Sequence, residues 1–239
     1  MGKDFGLSIA ELTKRFPAAP EYLIQMFIIN RDYGVVKNSV IALRLGVSKP
    51  AVTQAMNRLK RYNLIEQDLY GAINLTSAGR ITASRFLKRH YLLEHLLISS
   101  LDYNWVKSDE EASRLQSSIS DEFADFLYDK LGCPETCPHG NPFPGSSLES
   151  EIMNAPRLGT AAVGEKLKLV RITEEGEAAD GLLQFCYINN LRPGRTMNID
   201  AVDEQGLTVN FEDGGSLLIP YRFAEYICCS GQLSRPSGE

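Results

Sequence analysis

The chain has 239 residues and a formal net charge of −5, from 25 Lys+Arg against 30 Asp+Glu. That length suits two or three small domains, and 44% hydrophobic with 23% charged residues is typical of a globular protein. Because the sequence lacks both an apolar run of about 18 residues and a signal-peptide core, it predicts a cytoplasmic protein without a membrane span.

The first predicted domain, residues 1–76, has the element order of a winged helix-turn-helix. Residues 1–20 form an extension whose structure the sequence does not predict, and a helix is predicted over residues 21–33. Asn38-Ser39 can then cap a short helix over residues 40–45, which Gly46 ends in a tight turn. A further helix after that turn is placed to enter a DNA groove.

The helix after the turn is the predicted recognition helix. Ser48 is a good N-cap, and Pro50 occupies the first turn, where a missing N–H costs nothing. Val52, Met56 and Leu59 recur at i, i+4 and i+7 and predict a buried stripe. The side chains at the helix start or off this stripe are the candidate DNA contacts, namely Ser48, Lys49, Pro50, Ala51, Gln54, Arg58 and Arg61.

A predicted wing and a local excess of positive charge support DNA binding. Residues 63–65 and 73–75 are short strand patterns around a turn at 68–71. Residues 31–90 contain 11 basic and 3 acidic residues, a local charge of +8 on an acidic protein. Such a face suits neutralisation of DNA phosphates. The alternative is a winged helix that makes only protein contacts.

The middle of the chain, residues 77–145, is predicted to be all-helical. Thr76 or Ser77 can cap a long helix, and Ser108 and Ser120 can cap two further helices. The Pro/Gly-rich run CPETCPHGNPFPGSS then ends helical structure.

The last part of the chain is predicted to be a β domain. Residues 146–157 have the composition of a linker, and residues 158–239 contain the alternating stretches LKLVRI, TMNIDAV, LTVNF and SLLIPY. Alternation of this kind predicts a small antiparallel barrel. The predicted fold class is therefore α+β with several domains.

Four separate segments carry a family resemblance. They are VSKPAVTQAMNRLKR, RHYLLEHLL, WVKSDEEASRLQSSISDEF and the loop CPETCPHGNPFPG. In this order and spacing, over about residues 20–230, the chain resembles the diphtheria-toxin-repressor family of iron- and manganese-dependent transcriptional regulators. The resemblance implies a homodimer assembled through an all-α dimerisation domain, operator DNA as partner, and a C-terminal SH3-like β-barrel of the FeoA type.

The resemblance also implies roles on the recognition helix. It puts Ser48, Pro50 and Gln54 near bases and Arg61 near phosphates, and the chemistry agrees because a carboxamide pairs with a base edge. Two alternatives remain open from the sequence. Pro50 can simply start the helix, and Arg58 can pair within the domain.

The family's primary metal site is expected to be degenerate here. Its ligands are a first-helix Met or Asp and the donors of an E-A-C-R-x-E-H pattern, which correspond here to Glu21, Ser113, Gln116 and Ser117. Hydroxyl and carboxamide groups are poor ligands for Fe²⁺ or Mn²⁺. If the fold brings these residues together, Ser113, Gln116 and Ser117 can donate hydrogen bonds to Glu21 in place of a metal. Chelator-treated protein would then retain operator binding.

The family's second metal site is better represented. His90 and Glu94 stand at i, i+4 and match its His and Glu, while Asp109 replaces a further His. These donors can hold Fe²⁺ or Mn²⁺, with Zn²⁺ as a surrogate. The ligands usual from the terminal domain fall near Ala179 and Leu182, which offer none. A purely structural His90 is the alternative.

The loop cysteines are not expected to bind metal. Cys133, Cys137 and His139 have suitable chemistry for zinc or an iron–sulfur cluster, but too few ligands occur at metal-site spacing. Five cysteines, an odd number, fit a reducing compartment, and the three in the β domain are predicted to be core residues.

The sequence thus predicts a dimeric winged-helix transcriptional repressor with a reduced or altered metal response. The alternatives are a metal-independent or otherwise-triggered regulator and a non-DNA-binding adaptor or metal-storage protein. An enzyme is not expected, because no Ser-His-Asp set, phosphate loop or pair of catalytic carboxylates appears.

Overall fold

The structure, a computed structural model, describes residues 8–67 and 72–231. The predicted turn of the wing, 68–71, lies outside the described residues. The chain folds into two compact units, of which the first comprises residues 1–90 with 113–126 and the second comprises residues 91–112 with 127–239.

The first unit contains the helix-turn-helix. Its first helices are α1 (Ile9–Arg15), α2 (Ala19–Tyr33), α3 (Asn38–Leu45) and α4 (Lys49–Arg61). The predicted turn is confirmed, because Gly46 ends α3 with a φ of 63° and the Ser48 hydroxyl accepts the Ala51 N–H at 3.3 Å. The predicted Asn38 cap is wrong. Asn38 is already helical, and Lys37 takes the N-cap position.

Helix α1 forms part of the extension for which no element is predicted from the sequence. The Ser8 hydroxyl accepts the Glu11 N–H at 3.2 Å, which is half of a capping box. Ile9, Leu12 and Phe16 are buried. The pattern Ser8-x-x-Glu11 before two apolar residues was therefore a usable signal, although seven residues are too few for helical periodicity to stand out.

A wing and helices follow. They are β1 (Ile65–Gln67), antiparallel to β2 (Ile73–Leu75), then α5 (Ser77–His95), one π-helical turn over Leu96–Ser100, α6 (Ser108–Leu115) and α7 (Asp121–Lys130). Thr76 caps α5 and Ser120 caps α7, as predicted. Ser108 is not a cap, because it is already helical and its hydroxyl donates to Trp105 O. Asn104 instead accepts the Val106 N–H at 2.9 Å.

The second unit ends in a five-stranded sheet. Its elements after α8 (Glu149–Asn154) are β3 (Lys166–Ile172), α9 (Glu174–Glu177), α10 (Leu182–Ile188), β4 (Thr196–Val202), β5 (Gly206–Phe211), β6 (Ser216–Pro220), α11 (Tyr221–Ala224) and β7 (Ile227–Gly231). All pairings are antiparallel, in the order β6-β5-β4-β3-β7. The predicted small antiparallel β domain is confirmed, and in the described residues its sheet is open. Helix α8 lies within the predicted linker.

The core of this sheet confirms the prediction for the three late cysteines. Cys186, Cys228 and Cys229 are buried, and burial raises the pKa of Cys186 and of Cys229 to about 12. Strand β7 was missed because its five residues, two of them cysteine, show no alternation of apolar and polar side chains.

Candidate functional site

The outer face of α4 carries the predicted DNA contacts. The buried stripe is the predicted one with Ala55 added. Most of the predicted contacts are exposed, namely Ser48, Lys49, Pro50, Gln54 and Arg61, while Ala51 is half-buried. Exposed cations therefore flank an exposed carboxamide, an arrangement suited to phosphate contact on either side of a base contact.

Arg58 is engaged within its own domain, which is one of the two alternatives that the sequence left open. Its Nη2 donates to the carbonyl oxygen of Arg15 at 2.6 Å. Its guanidinium carbon lies 4.2 Å from the centroid of the Phe16 ring. The head group of Arg58 thus joins the recognition helix to the end of α1.

The four positions of the family's primary metal site lie in the first unit and make no hydrogen-bonded bridge in the described residues. Glu21 and Ser113 are exposed, and Ser117 is half-buried. Gln116 is buried, and its Oε1 has no hydrogen-bond partner among the described residues. The predicted hydrogen bonds to Glu21 are absent from the part of the chain that the structure describes. Helix α6 ends at Leu115, so Gln116 and Ser117 follow the helix and do not share its face with Ser113.

The predicted second site keeps its residues on or beside α5. His90 precedes Glu94 by one turn of α5, and both are buried. The Glu94 carboxylate also lies within 4.8 Å of the Asp109 carboxylate, which α6 supplies.

A second donor group shares Glu94 and was not predicted. Cys137 and His139 lie with Glu94 so that one donor atom of each falls within 4.8 Å of the others, and all three residues are buried. His139 Nδ1 is 3.1 Å from Glu94 Oε1. His139 Nε2 is buried without a hydrogen-bond partner among the described residues. Cys133 is exposed and is not part of this group.

The loop holds His139 through its backbone. The Cys137 N–H donates to Asn141 O at 2.8 Å, and the Gly140 N–H donates to Cys137 O at 2.9 Å, closing a tight turn. Gly140 has a φ of 92°, and a Cβ there would lie 2.2 Å from Val170 O. Only glycine lets the loop approach β3 this closely. The imidazole also packs on Trp105, with ring centroids 4.5 Å apart.

The terminal domain adds carboxylates to this group. The Thr173 hydroxyl accepts the Gly176 N–H at 3.1 Å and so starts α9, which carries Glu174 and Glu177 at i, i+3. Glu177 Oε2 lies 3.4 Å from His139 Nδ1. Its Oε1 accepts the Asn141 side-chain N–H at 2.5 Å.

The terminal domain therefore brings carboxylates to this group, although no ligand was expected from it. That expectation was based on Ala179 and Leu182, whereas the carboxylates stand a few residues earlier, at the start of α9. Sequence patterns alone do not define where strand β3 ends. A shift of a few residues in the alignment therefore points to apolar side chains when the nearby glutamates are the relevant ones.

A buried cation balances part of this negative charge. A register shift between Leu169 and Arg171 in the β3–β7 pairing lets Arg171 point into the interior, where it is 2% exposed. Its Nη1 donates to Asn141 Oδ1 at 3.1 Å and lies 3.6 Å from Glu174 Oε2. The Tyr91 hydroxyl donates to the other oxygen of Glu174. Glu174 is thus engaged by Arg171 and Tyr91.

The pKa values of Glu177 and Cys137 are both raised, which favours their neutral forms. Burial, followed by the charges of Glu94, Asp109 and Glu174, raises the pKa of Glu177 well above its usual value, and Arg171 opposes the shift. Burial and the same kind of carboxylate charge raise the pKa of the Cys137 thiol. Both shifts are ones that a bound cation reverses.

The donor chemistry fits a transition metal. Glu94, Cys137, His139 and Glu177 offer two carboxylates, a thiol and an imidazole, a combination that suits Fe²⁺ or Zn²⁺ and is acceptable for Mn²⁺. His139 Nδ1 also fits, because it faces Glu94 and Glu177 and has no hydrogen-bond partner among the described residues, and a metal would satisfy it.

Known proteins match the chain over most of its length. Residues 16–73 match the family model described as iron dependent repressor, N-terminal DNA binding domain, and residues 76–145 match its metal binding and dimerisation domain. The diphtheria toxin repressor of Corynebacterium diphtheriae is 33% identical over 160 residues, which cover 64% of this chain and 71% of that protein. The chain belongs to the iron-dependent repressor family. It is a DNA-binding transcriptional regulator, as predicted.

Solved structures of the iron-dependent repressor family share its fold. The crystal structure of T. acidophilum IdeR is 27% identical with a TM-score of 0.69, and the match covers 89% of this chain and 97% of that one. A manganese-dependent transcriptional repressor in complex with manganese is 26% identical with a TM-score of 0.72, covering 82% and 90%. No helix in the described part of this chain has the length and apolarity needed to cross a membrane.

The segment that matches the metal binding and dimerisation domain contains Glu94, Cys137 and His139. Glu174 and Glu177 lie beyond it. The missed signal was the compact run Cys137-Pro-His139-Gly140, in which glycine after a potential ligand indicates a backbone held against another element. The third member of this group, Glu94 on α5, is too distant in sequence for spacing rules to find.

Proposed function

We propose that this chain acts as a homodimeric repressor on operator DNA and that Glu94, Cys137, His139 and Glu177 form its metal-sensing site. The observation that carries the proposal is the burial of Glu94, Cys137 and His139 with donor atoms within 4.8 Å. Buried carboxylates and an imidazole in such proximity are costly unless a cation or protons join them. Glu177 is the fourth ligand, because it faces His139.

Fe²⁺ is the expected physiological metal. The relatives are named for iron or manganese, and the thiolate of Cys137 favours the softer Fe²⁺ over Mn²⁺. Zn²⁺ serves as an air-stable surrogate. Arg171 alone balances only part of the negative charge of these carboxylates, and a bound cation would balance the rest.

The site links three parts of the second unit. Glu94 comes from α5, Cys137 and His139 from the loop, and Glu177 from α9 of the terminal domain. Metal binding would hold the terminal sheet against the helix and loop that carry the family's dimerisation segment. A ligand that binds only this arrangement stabilises it by mass action.

Anaerobic titration of the dialysed protein with Fe²⁺ tests the site. We expect one metal per chain, a rise in melting temperature, a dimer by sedimentation, and tighter operator binding with Fe²⁺ than with chelator. The metal-independent alternative, which depends on hydrogen bonds to Glu21, predicts that chelated protein still binds the operator. Loss of operator binding on chelation would therefore contradict that alternative. Unchanged melting and operator binding with and without Fe²⁺ contradict metal sensing.

The DNA contacts are tested separately by Gln54→Ala and Arg61→Ala. Gln54→Ala should cost about 1–3 kcal/mol on the operator and relax sequence choice. Arg61→Ala should weaken binding to every duplex. It should also make the dependence of log affinity on log salt less steep by about one unit. Identical behaviour of the two variants in a salt-titrated binding assay contradicts the division of roles.

A further inference from the structure

Helix α1 precedes the segment that matches the DNA-binding domain of the family, which begins at residue 16. We propose that the last turn of α1 is an additional contact with the DNA backbone, made chiefly by Lys14. The proposal rests on the proposed role of α4 and extends its surface. The expected partner chemistry is a row of phosphates flanking the groove that α4 enters.

The position of α1 is fixed by two kinds of contact. Ile9, Leu12 and Phe16 are buried at i, i+3 and i+7, so one face of the helix packs into the first unit. At its carboxyl end, Arg58 donates to the carbonyl oxygen of Arg15 at 2.6 Å and covers the ring of Phe16. The carboxyl end of a helix favours such a cation.

This contact brings the end of α1 to the edge of the recognition surface. Arg58 follows Gln54 by four residues on α4, so the two side chains share a helix face. Gln54 is exposed, whereas Arg58 turns towards α1. The last turn of α1 therefore lies one arginine side chain away from α4, beside the face that carries the predicted base contact.

The last turn of α1 is also basic. Lys14 and Arg15 are both exposed, and Arg15 pairs with Glu11 at 3.3 Å. Lys14 has no ion pair among the described residues. An exposed lysine next to a DNA-facing helix can take a phosphate without giving up an existing partner. Continuity with the basic face of α4 is what selects DNA over an acidic protein as partner.

The test is Lys14→Ala in the full-length protein, with Lys168→Ala as the matched control. Lys168 is also exposed, but it lies on β3 of the terminal sheet. Log affinity falls as log salt rises, and removing Lys14 should make this fall less steep by about 0.9 for each phosphate that its ammonium group neutralises. The ratio of the parent's affinity to the variant's affinity should therefore shrink about 3.5-fold between about 50 and 200 mM salt. It should appear equally on operator and on unrelated duplexes, and Lys168→Ala should leave both affinities unchanged.

Failure of this inference can be told apart from failure of the proposed function. If Gln54→Ala and Arg61→Ala weaken binding but Lys14→Ala does not alter affinity or slope, α1 only braces the recognition helix and the inference is overturned. If none of the three variants has an effect, the DNA surface itself is assigned wrongly. A melting curve of Lys14→Ala that matches the parent excludes unfolding as the cause of any decrease in affinity.

Discussion

Two sets of candidate metal-ligand positions in this chain differ in burial. The primary-site positions of the family lie in the first unit, where Glu21 and Ser113 are exposed and make no hydrogen-bonded bridge in the described residues. The group around His139 lies in the second unit and is buried. A partly exposed ligand set can be lost by substitution at little structural cost at its exposed positions. A buried one is tied to the packing around it.

Ion pairs hold the segment in which the family's primary ligands are replaced. In the first unit, Asp121 of α7 pairs with Arg85 and with Arg89 of α5, the latter at 2.8 Å. Asp125 pairs with Lys88 at 2.8 Å. These ion pairs attach residues 113–126 to α5 within the first unit. The second unit instead concentrates buried carboxylates around His139.

The largest expected effect follows from removing a ligand in the buried group. Cys137→Ser replaces a thiol by a hydroxyl of similar shape, which is a poor ligand for Fe²⁺ or Zn²⁺. We expect metal affinity to fall by more than about 100-fold, a decrease larger than that seen for partners outside the ligand shell. Calorimetric titration with Zn²⁺ measures it. The control is Cys133→Ser, which changes the exposed cysteine of the same loop and should bind as the parent does.

A gain of binding tests the other side of the comparison. The triple variant Ser113→Cys, Gln116→Glu and Ser117→His restores the donor types that the family pattern has beside Glu21. The stoichiometry of Zn²⁺ by atomic emission should rise from one to two per chain, with the new site the weaker. Gln116 is buried, so introducing a carboxylate there is costly without metal. A stoichiometry that stays at one, in a folded variant, would mean that the fold has lost the site along with its side chains.

The sequence was sufficient where the signal is local. Ser48, Gly46 and the stripe of Val52 identified α4 because capping and helical periodicity need only neighbours in the chain. The group around His139 could not be derived this way. Its members come from α5, the loop and α9, and what joins them is the close approach of Gly140 to β3. Long-range packing of that kind leaves little trace in spacing, so residue types alone did not bring these donors together.

A smaller decrease is expected from the residue that orients Glu177. Asn141 is fully buried, donates to Glu177 Oε1 at 2.5 Å and to Ile172 O at 2.8 Å, and accepts from Arg171. Asn141→Ala should lower metal affinity about 10–100-fold with stoichiometry unchanged, as for other groups that position ligands.

Asn189→Ala is the control for this variant. Asn189 also makes a side-chain bond to a carbonyl, to Phe185 O at 2.8 Å, but in α10 and its cap. It should leave metal affinity unchanged. Equal affinities for Asn141→Ala and the parent would show that Glu177 needs no orientation, or that it is not a ligand.

The smallest effect concerns the ion pairs of the first unit. Partial burial raises the pKa of Asp121, but the hydrogen bond and charge of Arg89, with Arg85, outweigh it and hold the pKa below the usual value. A carboxyl whose folded-state pKa is depressed stabilises the fold above its unfolded pKa, and the contribution is lost as pH falls through the folded value. Asp121→Asn should therefore lower the urea midpoint of the metal-free protein at pH 7. The difference from the parent should shrink below about pH 4. Asp125→Asn is the matched control on the same helix, with one pairing lysine and 73% side-chain exposure, and should shift the midpoint less. A difference for Asp121→Asn that stays constant from pH 7 down to pH 3 would show that packing, not charge, holds this segment to α5.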